Sequence, residues 1–96
     1  MRMLMIVYNE ALDNELMEIL GDFKIQGYTK IPKVFGKGIT SGAHLGTDIW
    51  PGLNNILYVA CQEPDSKRLI QGIKDLRNKA GQEGIKAFVL PLDECT

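Results

Sequence analysis

Between Gly27 and Gly52 the chain reads GYTKIPKVFGKGITSGAHLGTDIWPG, and the residues with the most distinctive chemistry gather there. Six of the ten glycines lie in this stretch, with the sole histidine, His44, and the sole tryptophan, Trp50. From Phe23 to Thr47 there are four lysines, Lys24, Lys30, Lys33 and Lys37, and no acid. Glycine lets backbone N–H groups approach a ligand closely, and ammonium groups add charge, so the segment suits an anion. The competing reading is a surface loop whose lysines are simply solvated. His44 is the one side chain that titrates near neutrality. With Asp48, and with copies from sister subunits, it could hold a metal. One histidine without a second strong ligand nearby is a thin donor set, however, and an exposed loop histidine is the simpler reading. Trp50 has two open roles, anchoring the loop to its own body or docking a partner. Gly36-Lys-Gly38-Ile-Thr-Ser-Gly42 is not GxGxxG and follows a strand without opening a helix, so dinucleotide-fold and P-loop readings fail. No nucleophile–base pairing and no convergent carboxylates accompany the loop, and an enzyme is not expected.

The elements that must position this stretch fit one domain, 1–96, of ordinary globular composition, with 45% apolar and 24% charged residues. A net charge of −1 gives no general affinity for nucleic acid or membrane. Glu10, Asp13, Glu15, Glu18 and Asp22 form an acidic block directly before the lysine tract, which puts opposite potentials on neighbouring elements. Cys61 and Cys95 lack partners at metal spacing and read as free thiols of a reducing compartment. The apolar run Met3–Tyr8 is too short for a signal peptide, and nothing approaches a membrane span, so a cytoplasmic location is expected.

Met3–Tyr8 predicts a buried strand, with Asn9 as the cap of a helix over Glu10–Asp22 that Gly21 ends. Leu12, Leu16, Ile19, Leu20 and Phe23 make its apolar stripe. A second strand is expected over about 27–35, and Pro32 confines it to a sheet edge or a bulge. A long loop follows, about 36–53, leaving Asn54-Asn55 as a turn. Ile56–Cys61 predicts a third strand. Pro64 suits the first turn of a second helix, with Leu69, Ile70, Ile73, Leu76 and Ala80 inward and Gly81 and Gly84 ending it. Ala87–Leu92 predicts a fourth strand. The order is βαββαβ, a ferredoxin-like α+β sandwich on a four-stranded antiparallel sheet.

Two helices cover only one face of such a sheet, and the other should then alternate to polar. Three strands do not. Met3, Met5 and Val7 oppose Leu4, Ile6 and Tyr8; Ile56, Tyr58 and Ala60 oppose Leu57, Val59 and Cys61; Ala87 and Val89 oppose Phe88, Leu90 and Leu92. At about 25 cal/mol per Å², burying several hundred Å² per subunit favours assembly by several kcal/mol. A homo-oligomer with sheets turned inward is expected; the alternative is a monomer whose long loop folds over the sheet.

Gly27-Tyr-Thr29, Val34-Phe-Gly36-Lys-Gly38, the long loop, the basic helix and the ending Gly84-Ile-Lys86-Ala-Phe88-Val-Leu-Pro91-Leu together resemble the PII signal-transduction family over nearly the whole chain. The resemblance implies a homotrimer with sheets facing the centre, and a loop that inserts into or blocks a target enzyme or membrane transporter. It implies a small anionic effector, typically an adenine nucleotide, in the cleft between subunits. Thr29, Gly36, Lys37 and Gly38 would then lie at the loop base beside that cleft, and Lys86 would contact phosphate. Thr40, Ser41, His44 and Trp50 would belong to the partner-binding loop. The departures are specific. Ile39 and Thr40 stand where the family has a glutamine that helps hold metal and 2-oxoglutarate. The loop has no tyrosine for nucleotidylylation, Ala80–Gly84 only loosely matches the second nucleotide loop, and the basic Arg-Thr-Gly-Glu segment has no counterpart. The chain thus resembles the shortened PII-like proteins. The alternative expectation is a metal-responsive trimer similar to CutA proteins, carried by His44 and Asp48. RNA recognition on the same fold needs aromatics on an exposed sheet, and the third strand offers only Tyr58, so no nucleic-acid partner is expected.

Overall fold

A computed structural model describes residues 1–36, 53–80 and 84–96. Its elements are β1 (Arg2–Asn9), a 3₁₀ turn (Glu10–Leu12), α1 (Asp13–Asp22), β2 (Thr29–Val34), β3 (Asn54–Cys61), α2 (Glu63–Ala80) and β4 (Ile85–Pro91). The strands form one sheet in the order β2-β3-β1-β4, and every pairing is antiparallel. This is the expected ferredoxin-like α+β sandwich. Among the described residues no helix is long and apolar enough to cross a membrane.

The core follows strand alternation. Leu4, Ile6 and Tyr8 on β1, Leu57, Val59 and Cys61 on β3, and Ile85 on β4 are buried on the helix side. They meet Leu12, Leu16 and Leu20 from the first helical segment and Leu69, Ile73 and Leu76 from α2. Each fully buried leucine contributes about 1.5–3 kcal/mol of transfer free energy. Ile19 and Phe23 of the expected stripe are only partly buried, because they turn toward α2 rather than the sheet. Gly72 makes that approach possible: a Cβ there would stand 3.1 Å from the Phe23 ring and 3.2 Å from Ile19.

Several boundaries differ from the sequence reading, each for a local reason. Asn54 and Asn55 are not a turn. They pair with Asn9 and Tyr8 of β1 and open β3, both of them buried. β4 begins at Ile85 rather than Ala87, since Ile85 completes the core opposite Tyr8, and Leu92 falls outside it. Asn9 caps as expected, its side chain accepting from the Ala11 amide at 2.9 Å, but the first turn it caps is 3₁₀. Gly21 does not end α1, which runs through Asp22. The chain reverses instead at Lys24, φ 60°, where the Lys24 amide donates to Gly21 O at 3.0 Å and the Ile25 amide to Leu20 O at 2.9 Å. That bonding is a Schellman C-cap with lysine in the left-handed position usually given to glycine. Pro32 confines β2 to an edge or a bulge, and both occur: β2 is an edge strand, the β2–β3 register slips between Ile31 and Val34, and Lys33 takes φ 60°.

The second sheet face carries Met3, Met5 and Val7 on β1, Ile56, Tyr58 and Ala60 on β3, Ile31 on β2, and Phe88 and Leu90 on β4. Ile31, Phe88 and Leu90 are 42%, 40% and 44% exposed, so this face is apolar and accessible at both edges, as the strand pattern requires. The alternative in which residues 36–53 cover it lies outside the described residues.

The left-handed Lys24 gives a direct test. Replacement by glycine relieves about 1–2 kcal/mol of steric strain and adds about 0.5–1 kcal/mol of chain entropy to lose. Lys24→Gly is expected to raise unfolding stability by about 0.5–1 kcal/mol, read as a higher urea midpoint at unchanged slope.

Candidate functional site

Of the residues the resemblance assigns to an anion, the structure describes three. Thr29 opens β2, opposite Tyr58; Gly36 follows β2 by two residues; Lys86 is the second residue of β4, opposite Val7. All three are exposed. Lys37, Gly38, Thr40, Ser41, His44, Asp48 and Trp50 lie outside the described residues. Two rows run across the second sheet face: Thr29–Tyr58–Met5–Phe88 and Ile31–Ile56–Val7–Lys86. Thr29 and Lys86 therefore share a face but stand on opposite edges, three strand spacings or about 14 Å across the sheet and one row apart along it. One copy does not bring these two groups together.

The same end of the sheet gathers the ends of both glycine-rich connections. The Asn9 amide donates to Gly84 O and the Glu10 amide to Leu53 O, each at 2.9 Å. Val34, two residues before Gly36, pairs with Asn54. The β1–α1 junction is thus the common footing for 36–53 and for the connection that ends at Gly84. Asn54, on the second face at this footing, is buried with its Oδ1 lacking a hydrogen-bond partner among the described residues.

A polar cluster on the helix side of this footing escaped the sequence reading. Tyr8 is fully buried, and its hydroxyl donates to Asp13 Oδ1 at 2.6 Å while Asn55 Nδ2 approaches the hydroxyl at 3.4 Å. Lys30 Nζ lies 2.8 Å from the same Asp13 Oδ1, and 6.0 Å from the centroid of the Tyr28 ring. Burial, then the bond to Asp13, raises the Tyr8 hydroxyl pKa far above its ordinary value, so it stays a neutral donor. Burial opposes ionisation of Asp13, but the hydrogen bonds from Lys30 and Tyr8, with the Lys30 charge, outweigh it and hold the carboxyl below its ordinary 3.8. The signal was present in the adjacent acidic and basic tracts. What it lacked was a way to single out Asp13 and Lys30 from their solvated neighbours.

Elsewhere, Arg2, Glu63, Lys67, Ile70, Lys74 and Val89 help line a shallow groove of about 370 Å³ between α2 and the far end of β4. Arg2 and Glu63 pair across it at 3.3 Å. It lies at the opposite end of the sheet from the loop footing. Among the described residues no three His, Cys, Asp or Glu side chains are grouped to hold a metal. Cys61 is a buried free thiol, its pKa raised by burial and by the Asp65 charge, and Cys95 is exposed and free.

A split βαβ sandwich with donor groups on both sheet edges and two glycine-rich connections footed at one end has the architecture of PII-like signalling proteins. The family itself is shown by sequence: the model for nitrogen regulatory protein P-II matches residues 1–96, and the chain belongs to that family. The match is to P-II rather than to the CutA-like alternative. No curated protein matches the chain. Among solved structures it is similar to a PII-like signalling protein from Thermus thermophilus, with TM-score 0.67 and 23% identity over 92% of this chain and 82% of that one. It is also similar to CPII from Thiomonas intermedia, a nitrogen regulatory PII-like protein. CPII bound to ADP, AMP and bicarbonate gives TM-score 0.70 and 18% identity over 93% of this chain and 88% of that one. CPII bound to ADP, AMP and acetate gives TM-score 0.69 and 17% identity over 97% and 88%. At these identities the likeness establishes the fold.

The Asp13 shift has a sign that can be checked. A carboxyl with a depressed folded pKa stabilises the fold fully above its unfolded value, and that contribution fades as pH falls through the folded value. Urea unfolding between about pH 5 and pH 2 should therefore show the wild type losing stability faster than Asp13→Asn, which has no carboxylate to protonate. Parallel acid limbs would contradict the assignment.

Proposed function

We propose that residues 1–96 act as one ferredoxin-like unit that assembles into a homotrimer with its sheets inward and binds an adenine nucleotide in the clefts between subunits. Occupancy of the cleft would change the 36–53 loop, which engages a target enzyme or transporter in the cytosol. The work done is binding and ordering of a loop, without catalysis. The observation that carries this reading is the placement of Thr29 and Lys86 on opposite edges of one apolar face. In an assembly closed through that face, the β2 edge of one copy approaches the β4 edge of the next, and the two groups then line a shared cleft. The donor set suits a phosphate: an exposed ammonium at Lys86, a hydroxyl at Thr29, and unhindered backbone at Gly36. The nucleotides bound to CPII, a protein of the same fold, support the choice of ligand class.

Three measurements test this. Light scattering is expected to return three times the 10.7 kDa chain mass. Met5→Glu, at the middle of the open face, is expected to dissociate the assembly, because a carboxylate buried without a partner is strongly unfavourable. Calorimetric titration with AMP, ADP and ATP, with and without bicarbonate, should show binding that Lys86→Ala weakens ten- to a hundredfold, the range for a lost charge-assisted bond of about 1.5–3 kcal/mol. A clean monomer, or no heat from any nucleotide, would defeat the corresponding half of the reading.

A further inference from the structure

We propose that Lys30 is a positioning residue, clamping the loop-bearing edge strand to the helix layer through Asp13 and so setting where the loop footing stands. β2 needs such a clamp. It is an edge strand, paired only with β3, and its register breaks between Ile31 and Val34. Pro32 contributes no ladder donor, and Lys33 sits at φ 60°. Beyond Ile31 the ladder resumes only at Val34, opposite Asn54, two residues before Gly36. Among the described residues, Lys30–Asp13 is the one ion pair or side-chain hydrogen bond that ties β2 to any other element.

The receiving end of the clamp is rigid. Asp13 opens α1, and its Oδ1 accepts from the Lys30 ammonium and from the fully buried Tyr8 hydroxyl, 2.8 and 2.6 Å away. Tyr8 is fixed in the core of β1, and Asn55 of β3 lies against its hydroxyl. A single carboxylate oxygen thus joins β1, α1 and β2, with β3 attached through Asn55. The Asp13 and Lys30 side chains are about 30% and 27% exposed, so solvent screens the pair only in part. Asn9 and Glu10, whose amides hold Gly84 and Leu53, lie between Tyr8 and Asp13. The clamp and the loop footing are therefore the same short segment, and a shift of one is a shift of the other. Thr29, next to Lys30 and on the opposite face, moves with it.

The test uses Lys30→Met, Asp13→Asn and their double mutant in the full chain. Amide hydrogen exchange over 29–34 is expected to quicken at least tenfold in each single variant, with little further change in the double mutant, while Leu4, Ile6, Leu57 and Val59 keep their protection. Unchanged exchange in β2 would overturn the clamp. So would additive effects, or loss of protection spread evenly over the sheet, which would mark an ordinary stabilising pair. A second readout rests on the nucleotide reading above: ADP affinity should fall several-fold in Lys30→Met, and equal affinity would overturn the positioning role. If the wild type binds no nucleotide, the effector reading fails by itself, and the exchange pattern still decides the clamp.

Discussion

A four-stranded sheet has two faces, and two short helices can dry only one of them. In this chain that shortfall organises everything else. Leu4, Ile6, Tyr8, Leu57 and Val59 turn toward α1 and α2 and vanish from solvent. Met3, Met5, Ile56, Phe88 and Leu90 turn the other way, where the chain supplies no helix among the described residues. Soluble monomers rarely leave a large contiguous apolar surface open to water, which is the physical ground for the assembly proposed above. The groups with anion chemistry, Thr29 and Lys86, then fall at the two margins of that surface. The open face among the described residues and the placement of Thr29 and Lys86 at its two margins are thus one geometric fact.

Strand β1 turns this fact into a device. It is central in the sheet, pairing with β3 on one side and β4 on the other, and its last residues hand directly into the first helical turn. The Asn9 and Glu10 amides, at the end of that strand, hold Gly84 and Leu53. Loops that carry function are useful when their feet are fixed by a rigid scaffold. Here the fixed point is a central strand with Leu4, Ile6 and Tyr8 fully buried, and the connections differ in how they leave it. The one that ends at Gly84 returns to β4 beside β1. The 36–53 connection starts from β2, an edge strand with a broken register, and comes back to β3.

The fold was legible because short apolar runs mark the strands and apolar residues repeat at helical spacing in the helices. Pro32 alone was enough to confine β2 to an edge or a bulge, and the strand has both. The boundaries were legible only where a residue type has one common meaning. Asn54 and Asn55 read as turn formers because asparagine usually is one, yet pairing with Tyr8 and Asn9 draws them into β3 and buries them. Gly21 read as a helix stop because glycine usually is one, yet the reversal falls on Lys24. The polar cluster was the harder case. Nothing in the types of Tyr8, Asp13, Lys30 and Asn55 tells them from their neighbours, and only the folded arrangement brings β1, α1 and β2 to one carboxylate oxygen, with β3 joined through Asn55.

The two left-handed lysines share one logic. Lys24 ends α1 and Lys33 sits in the bulge of β2, each at φ 60°, and each costs about 1–2 kcal/mol that glycine would avoid. They bracket Lys30, the second lysine of the basic tract, which is held in the allowed extended region by its pairing opposite Leu57. Bulges and charges on an edge strand also oppose unwanted pairing with other chains. The strain at Lys33 and the broken register thus fall in the strand that leads to Gly36. An element that must stay folded and yet yield to a ligand or partner is drawn from the low-stability end of a structure. The core needs no such compromise, and its residues show none: β1 carries no bulge, no proline and no positive φ.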